Sequence, residues 1–431
     1  MSDLEKGTDR VIPRRAVAAW ILYDLANTVF SMGVVSLMFP LLVRESVGED
    51  RADAVQGIVT AISMSLIFLL SPLLGAITDH RPRRMPFLVG ATLVCIGLTF
   101  SLGRFGFLPS VIAFIFANAA FQAGVLFYDA LLPEVSTPQN RGRIGGMGVG
   151  FGYVGSFIAI GITMVFEGRS AAFIFSLLGG LFLVTSWPCF IWVKERPKTN
   201  SEPITWALMK RLTAKTVATL RSARDYPGLG RFLLGRVFYT DSVNTVIMMM
   251  VLFTVNVAVA NGADEAAGQT QSRLIMLFAI VFAIAGGLAW GWLVDRIGPK
   301  KTLNFVLSLW IVVFLLAAGI AFFRLPLWLM YGVGTGAGIG MGGMIAADRP
   351  LMLTLTPDER VGEFYGLYGM VGRFSAIVGP VLWAGILWIT IEWFGVDALT
   401  GQGFGILVLL ALVCVSVWIL RPVSDGFERK G

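Results

Sequence analysis

Two short patterns place acids and amides where a polypeptide rarely keeps them. Asp24 and Asn27 stand three residues apart in Trp20-Ile-Leu-Tyr23-Asp24-Leu-Ala-Asn27-Thr28-Val29-Phe30, and Asp241-Ser-Val-Asn244-Thr245-Val246 repeats the spacing. Residues at i and i+3 share a helical face, so each pattern sets a carboxylate beside an amide. A carboxylate there can hold an ammonium group or a proton, and the amide can orient a polar ligand. Tyr23 and Tyr239 flank the acids and can close over a bound group. Arg373 is the cationic counterpart, suited to a ligand carboxylate or to a counter-ion role, and Asn118 and Gln122, four apart, add amide groups. The same residues also read as packing devices: interhelical ion pairs, hydrogen bonds and a tyrosine that only satisfies its acid.

All of these groups lie in apolar stretches. Of the 431 residues, 56% are hydrophobic and 14% charged, with a mean hydropathy of +0.76, against a soluble norm of about 25% charged. Apolar runs of about 20 residues recur along the chain. They predict an all-α polytopic membrane protein with twelve transmembrane helices, near 16–43, 55–78, 86–104, 108–131, 143–166, 171–193, 231–256, 272–294, 302–323, 326–347, 363–390 and 402–420. A carboxylate near mid-membrane costs at least about 2.5 kcal/mol, so Asp24 and Asp241 are functional candidates by default. Arg236, close to the end of its run, is expected to snorkel to the interface. Of the 34 Lys and Arg, 26 fall on the termini and one set of loops, which predicts cytoplasmic termini. The same bias explains the net charge of +7 without a nucleic-acid partner.

Several function classes drop out. The cysteines Cys95, Cys189 and Cys414 are isolated in apolar runs and the one histidine is His80, so neither a metal site nor a disulfide framework is readable. Arg14-Arg15 precedes a run too long for a signal segment, which reads as a retained first helix. Gly150-Phe-Gly152-Tyr-Val-Gly155 and Gly338-Ile-Gly340-Met-Gly342-Gly343 match a dinucleotide pattern but follow no strand, so they fail its structural requirement. No phosphate loop and no nucleophile–base pair is present, so no cofactor and no enzymatic activity are expected.

The chain repeats itself. Asp24 returns at Asp241 after 217 residues, Gly75-Ala-Ile-Thr-Asp79 returns as Gly291-Trp-Leu-Val-Asp295 after 216, and Thr137-Pro138-Gln-Asn-Arg141 returns as Thr356-Pro357-Asp-Glu-Arg360 after 219. Asp129 meets Asp348 at that last shift. Three motifs in one order predict two parallel, pseudo-symmetric six-helix halves, residues 1–193 and 231–431. Residues 194–230 link them, with an amphipathic helix around 204–212 on the cytoplasmic leaflet.

The element Gly291-x-x-x-Asp295-Arg296-x-Gly298-x-Lys300-Lys301 resembles the signature loop of the major facilitator superfamily. Its first copy departs from that pattern, with His80 where Arg is usual and Pro82 where Gly is usual. Trp20-x-x-Tyr23-Asp24-x-Ala-Asn27, Glu363-Phe-Tyr-Gly366-Leu-Tyr and Gly379-Pro380 are similar to one branch of it, that of the vacuolar amino-acid effluxer of autophagy and its bacterial relatives.

The resemblance implies the major facilitator fold, with helices 1, 4, 7 and 10 lining a cavity that both aspartates face. It also implies a cytoplasmic gate in which Asp79, Arg83, Asp295 and Arg296 latch the repeated loops, with Arg141 and Arg360 as partners. The expected function is a secondary transporter working by alternating access. It would move a small polar solute, an amino acid by efflux being the first candidate, with protons as the candidate coupling ion. A lipid or lysolipid transporter and a non-transporting scaffold or sensor are the alternatives. The expected setting is a monomer in the lipid bilayer of a bacterial plasma (inner) membrane.

Overall fold

In the computed structural model the described residues are 12–79, 81, 83–166, 168–196, 226, 228–357 and 360–424. The expected linker helix around 204–212 lies outside them, as do the side chains of Asp79 and Arg373. Among the described residues there is no strand. The long helices are α1 Arg14–Val47, α2 Glu49–Asp79, α3 Met85–Ser101, α4 Phe107–Asp129, α5 Arg141–Val165 and α6 Ala171–Trp192. They continue with α7 Leu229–Ala260, α8 Glu265–Ile297, α9 Pro299–Phe323, α10 Leu329–Leu355, α11 Val361–Trp388 and α12 Ala398–Leu420.

Among the described residues eight of these are long and apolar enough to cross a membrane. Of the rest, α3 is short, and α10 carries Asp348-Arg349 after a glycine-rich run. Large apolar side chains point outward, among them Leu69, Val184, Phe323 and Trp418. An outer surface of this kind suits hydrocarbon, where every backbone group must be satisfied within the helix.

The described residues up to Leu220, with Pro357–Met370, form one compact unit; Arg221–Thr356 and the residues from Val371 on form the other. The first unit has an aromatic core. Phe39 stacks on Phe114 with centroids 3.6 Å apart, and Phe30 meets Phe121 at 4.7 Å and Phe182 at 5.7 Å. Between Phe30 and Phe39, α1 widens into a π-helical stretch, Phe30–Met38. A Cβ on Gly33 would come 2.7 Å from Leu178 Cδ2, so the glycine lets α6 close on that stretch.

Glycine does the same work in the second unit. A Cβ on Gly338 would run into the carbonyl oxygen of Ala279 on α8, and one on Gly342 would come 2.5 Å from that of Ala283. On the other side of α10, Gly340 leaves room for the Trp310 indole of α9. Helices in hydrocarbon gain little from apolar burial and associate through close contact of this kind. The glycine runs that mimic a dinucleotide pattern are therefore packing surfaces.

The start of α3 is held from far along the chain. Glu195, just past α6, accepts the backbone N–H groups of Arg84 (2.9 Å) and Met85 (2.6 Å). It supplies the acceptor that a helix N-terminus requires. Burial raises its carboxyl above the usual range, against the lowering effect of those two donors.

Candidate functional site

In the first unit the site is built on one face of α1. Trp20 stacks on Tyr128 of α4 (4.5 Å, 14°), and Tyr23 stacks on the same ring from its own turn (5.0 Å, 23°). The Tyr128 hydroxyl donates to the Trp20 carbonyl at 3.1 Å, and the Trp20 indole N–H donates back to the Tyr128 carbonyl. The Tyr23 hydroxyl pairs with Thr92 Oγ1 of α3 at 2.6 Å. Tyr23 is thus engaged with α3 and α4 and fixes the rotation of α1.

That rotation aims Asp24 at α5. The carboxylate is buried and lies against bare backbone: a Cβ on Gly148 would be 3.1 Å from Asp24 Oδ2, and one on Gly152 would be 3.5 Å away. Asn27 is buried one turn on, and its Oδ1 has no hydrogen-bond partner. On α4, Asn118 is buried with neither amide atom bonded, while Gln122 is half-buried. A buried amide left unbonded costs about 1–3 kcal/mol, so these acceptors and donors are kept at a cost.

In the second unit Asp241 is buried, 3% exposed, and Oδ1 accepts the backbone N–H of Gly379 on α11 at 2.7 Å. A Cβ on Gly379 would lie 2.8 Å from that oxygen and would collide with Thr245 Oγ1. Thr240 and Thr245, on either side of Asp241, are buried with unbonded hydroxyl oxygens. Asn244 is half-buried on the same helix.

The second unit also holds a network that sequence reasoning misread. Arg236 does not snorkel: it is buried, and its Nε pairs with Asp348 Oδ2 of α10 at 3.0 Å. The Tyr239 hydroxyl donates to the other oxygen of Asp348, so this tyrosine serves Asp348 rather than Asp241. The signal was available, since opposite charges in two apolar runs of one half are expected to pair.

Around the loops, Asp295 is half-buried and Arg296 exposed, its guanidinium 3.7 Å from the Trp292 ring centre. Arg83 is exposed, and its neighbour Arg84 is buried and donates to the Ala130 carbonyl at 3.1 Å. Arg141 is half-buried at the start of α5. Arg360 grips Glu363 through two bonds of 2.8 Å, a partner the sequence motif contains but did not assign. Among the described residues no cluster of three or more His, Cys, Asp or Glu could hold a metal, and Cys95, Cys189 and Cys414 are free thiols.

A human organic anion transporter, MFSD10, has a similar fold with a TM-score of 0.72 and 17% identity, over 94% of this chain and 99% of its own. A bacterial homologue of the iron transporter ferroportin, in an outward-facing state, follows at 0.69 and 16%, over 95% and 98%. These place the chain in the major facilitator fold. An uncharacterized MFS-type transporter of Bacillus subtilis, YxiO, is 27% identical over 84% of this chain and 86% of its own. Autophagy-related protein 22 of Yarrowia lipolytica is 26% identical over 56% of this chain and 44% of its own length. The model of the family described as "Vacuole effluxer Atg22 like" matches residues 46–426, and the chain belongs to that family of transporters.

Proposed function

We propose that this chain is a secondary active transporter that moves a small polar solute, an amino acid by efflux being the first candidate, by alternating access with proton coupling. One observation carries the reading. Each unit buries a carboxylate on its first long helix against a glycine of a partner helix, with an amide one turn away. A buried acid that faces bare backbone can exchange a proton or an ammonium group without moving bulky neighbours. In this reading Asp24 and Asp241 bind the cationic group or the proton, and Asn27 and Asn244 orient the ligand. Tyr23 holds α1 in register, Arg373 receives a carboxylate, and Gln122 adds an amide. The loops carrying Asp79, Arg83, Asp295, Arg296, Arg141 and Arg360 form the gate. The similarity to an effluxer family and to an MFS-type transporter supports the class. A bacterial plasma membrane with both chain termini cytoplasmic is part of the same proposal.

The test is flux from proteoliposomes loaded with labelled amino acids, with and without a pH gradient. Wild type is expected to release a subset of them when the gradient is imposed. Asp24→Asn removes the charge but keeps the shape, so gradient-driven flux should fall to background while solute exchange persists. Normal gradient-driven flux in that variant would remove Asp24 from coupling, and no amino-acid release at all would redirect the assay to lipids.

A further inference from the structure

The outer face of the second unit carries a groove that the proposed transport chemistry does not use. It has a volume of about 310 Å³ and lies between the end of α11 and the first half of α12, lined by Ile386, Ile389, Thr390, Phe404, Leu407 and Ala411 among others. Thr390 is the polar residue of this set, and its hydroxyl donates to the carbonyls of Ile386 (2.8 Å) and Leu387 (3.2 Å). An occupant therefore finds hydrocarbon and no hydrogen bond. The groove lies where α11 ends in a π-helical turn, Ile389–Trp393, a rare local geometry that is frequent at functional sites.

One end of the groove is polar. A Cβ on Gly401 would lie 3.1 Å from Thr390 Oγ1, which places the first turn of α12 at the mouth. There Asp397 caps α12 by accepting the Thr400 N–H at 3.1 Å, and Arg324 pairs with Asp397 at 2.6 Å. Arg324 uses Nη2 for that pair and for Thr400, and its side chain is 43% exposed. Trp388, Trp393 and Phe394 stand exposed at the same end, the two indoles 5.5 Å apart. Exposed tryptophans with a cation are the composition of a membrane–water interface. Phe404 to Ala411 covers about 10 Å of helix, the third of a hydrocarbon core nearest the headgroups.

We propose that this groove seats one acyl chain of a bilayer phospholipid, with the lipid phosphate on the outward donors of Arg324. The cation and the groove together turn an ordinary lipid-facing surface into a site with a fixed occupant. An unanchored chain would exchange freely with the bulk bilayer.

The experiment uses the full chain in nanodiscs containing a phospholipid whose acyl chain carries a photoreactive group near the headgroup. A galactosyl diacylglycerol with the same chain serves as the phosphate-free probe. Phospholipid labelling mapped by mass spectrometry should saturate at 404–411, while labelling around lipid-facing Val184 should rise without saturating. Ala411→Trp fills the groove from an exposed position and should abolish the saturable labelling. Leu407→Trp is the second filling variant should the first fail to fold. Arg324→Gln removes one charge-assisted hydrogen bond, so phospholipid retention should fall about tenfold, to the level of the galactolipid. Labelling of the groove that never saturates, or that survives both filling variants, overturns the site. Equal retention of the two probes by wild type overturns the phosphate contact. Cross-linking of two copies of the chain through Leu407 overturns the lipid in favour of a dimer contact.

Discussion

Asp24 and Asp241 stand at equivalent places in the repeat, and the two units hold their interior acids by different means. Around Asp24 the first unit uses stacking and neutral hydrogen bonds among Trp20, Tyr23, Tyr128 and Thr92, and packs glycines of α5 against the carboxylate. Around Asp241 the second unit uses a backbone donor, Gly379, and one turn away it commits to a buried ion pair, Arg236–Asp348, with Tyr239 on the other carboxylate oxygen. The lesson is that a repeated acid does not imply a repeated environment. In the first unit α1 is oriented by stacked rings and neutral hydrogen bonds. In the second a backbone donor meets Asp241 and a buried ion pair stands beside it, whose disruption leaves a stranded partner.

The largest expected effect breaks the comparison on the charged side. Removing one member of a buried pair strands the other and typically costs about 3–5 kcal/mol. Arg236→Ala and Asp348→Ala should each lower the melting temperature in detergent strongly, whereas Arg236→Met with Asp348→Leu should recover most of the loss. Single variants that melt like wild type would show that the second unit does not depend on its charges.

The next test sharpens the glycine difference. Gly379→Ala puts a methyl group into Thr245 Oγ1 and against Asp241, an overpacking that typically costs about 1–3 kcal/mol. Thr245→Ala should rescue part of the loss by removing the nearer of the two contacts, leaving the one with Asp241. Gly152→Ala meets its nearest atom, Thr28 Oγ1, at 3.3 Å, so a shift of a few tenths of an ångström accommodates it and melting should change little. Equal effects at the two glycines would mean that both serve only as room.

Much of this was legible in the sequence because hydropathy is a one-dimensional signal. The expected spans 108–131, 171–193 and 402–420 correspond to Phe107–Asp129, Ala171–Trp192 and Ala398–Leu420. Other helices run further than expected, α2 from Glu49 and α8 from Glu265, since polar turns beyond the apolar run still satisfy their own backbone bonds. Asp24 and Asp241 stood out as charges in apolar runs. The Gly379 donor did not, because a backbone N–H leaves no side-chain signature. Arg236 was misread because its place near the end of its run suggests snorkelling, while its acid lies 112 residues away. Glu195 falls at the start of the expected linker, 194–230, and only the fold brings it back to cap α3. The π-helical stretches at Phe30 and Ile389 carry no periodicity that single-sequence reasoning detects.

A smaller effect probes the aromatic side. Tyr23→Phe keeps the stack on Tyr128 and removes one neutral hydrogen bond, to Thr92, worth about 0.5–1.5 kcal/mol. Melting should fall modestly, far less than for Arg236→Ala. A loss as large as that variant's would mean that the hydroxyl, and not the stack, orients α1.

The smallest effect is a control for burial, because the second unit contains a second arginine–aspartate pair at its surface. Arg324–Asp397 is short, 2.6 Å, yet both side chains are about half exposed, and exposed pairs contribute about 0–1 kcal/mol. Partial burial pushes the Asp397 carboxyl up, but the Thr400 hydroxyl and N–H and the Arg324 guanidinium outweigh it and hold the group at about 2. A carboxyl depressed in the folded state stabilises above its ordinary value of about 3.9 and loses that contribution as pH falls through the folded value. Asp397→Ala should therefore lower stability by about 1 kcal/mol at neutral pH, most of it the lost α12 cap, and the gap to wild type should close between about pH 4 and 2. Melting curves at pH 7 and in that acid window read the difference directly. Should Asp397→Ala cost as much as Asp348→Ala, burial would not be what separates the two pairs, and the charge-based account of the second unit would have to be rebuilt on contact geometry alone.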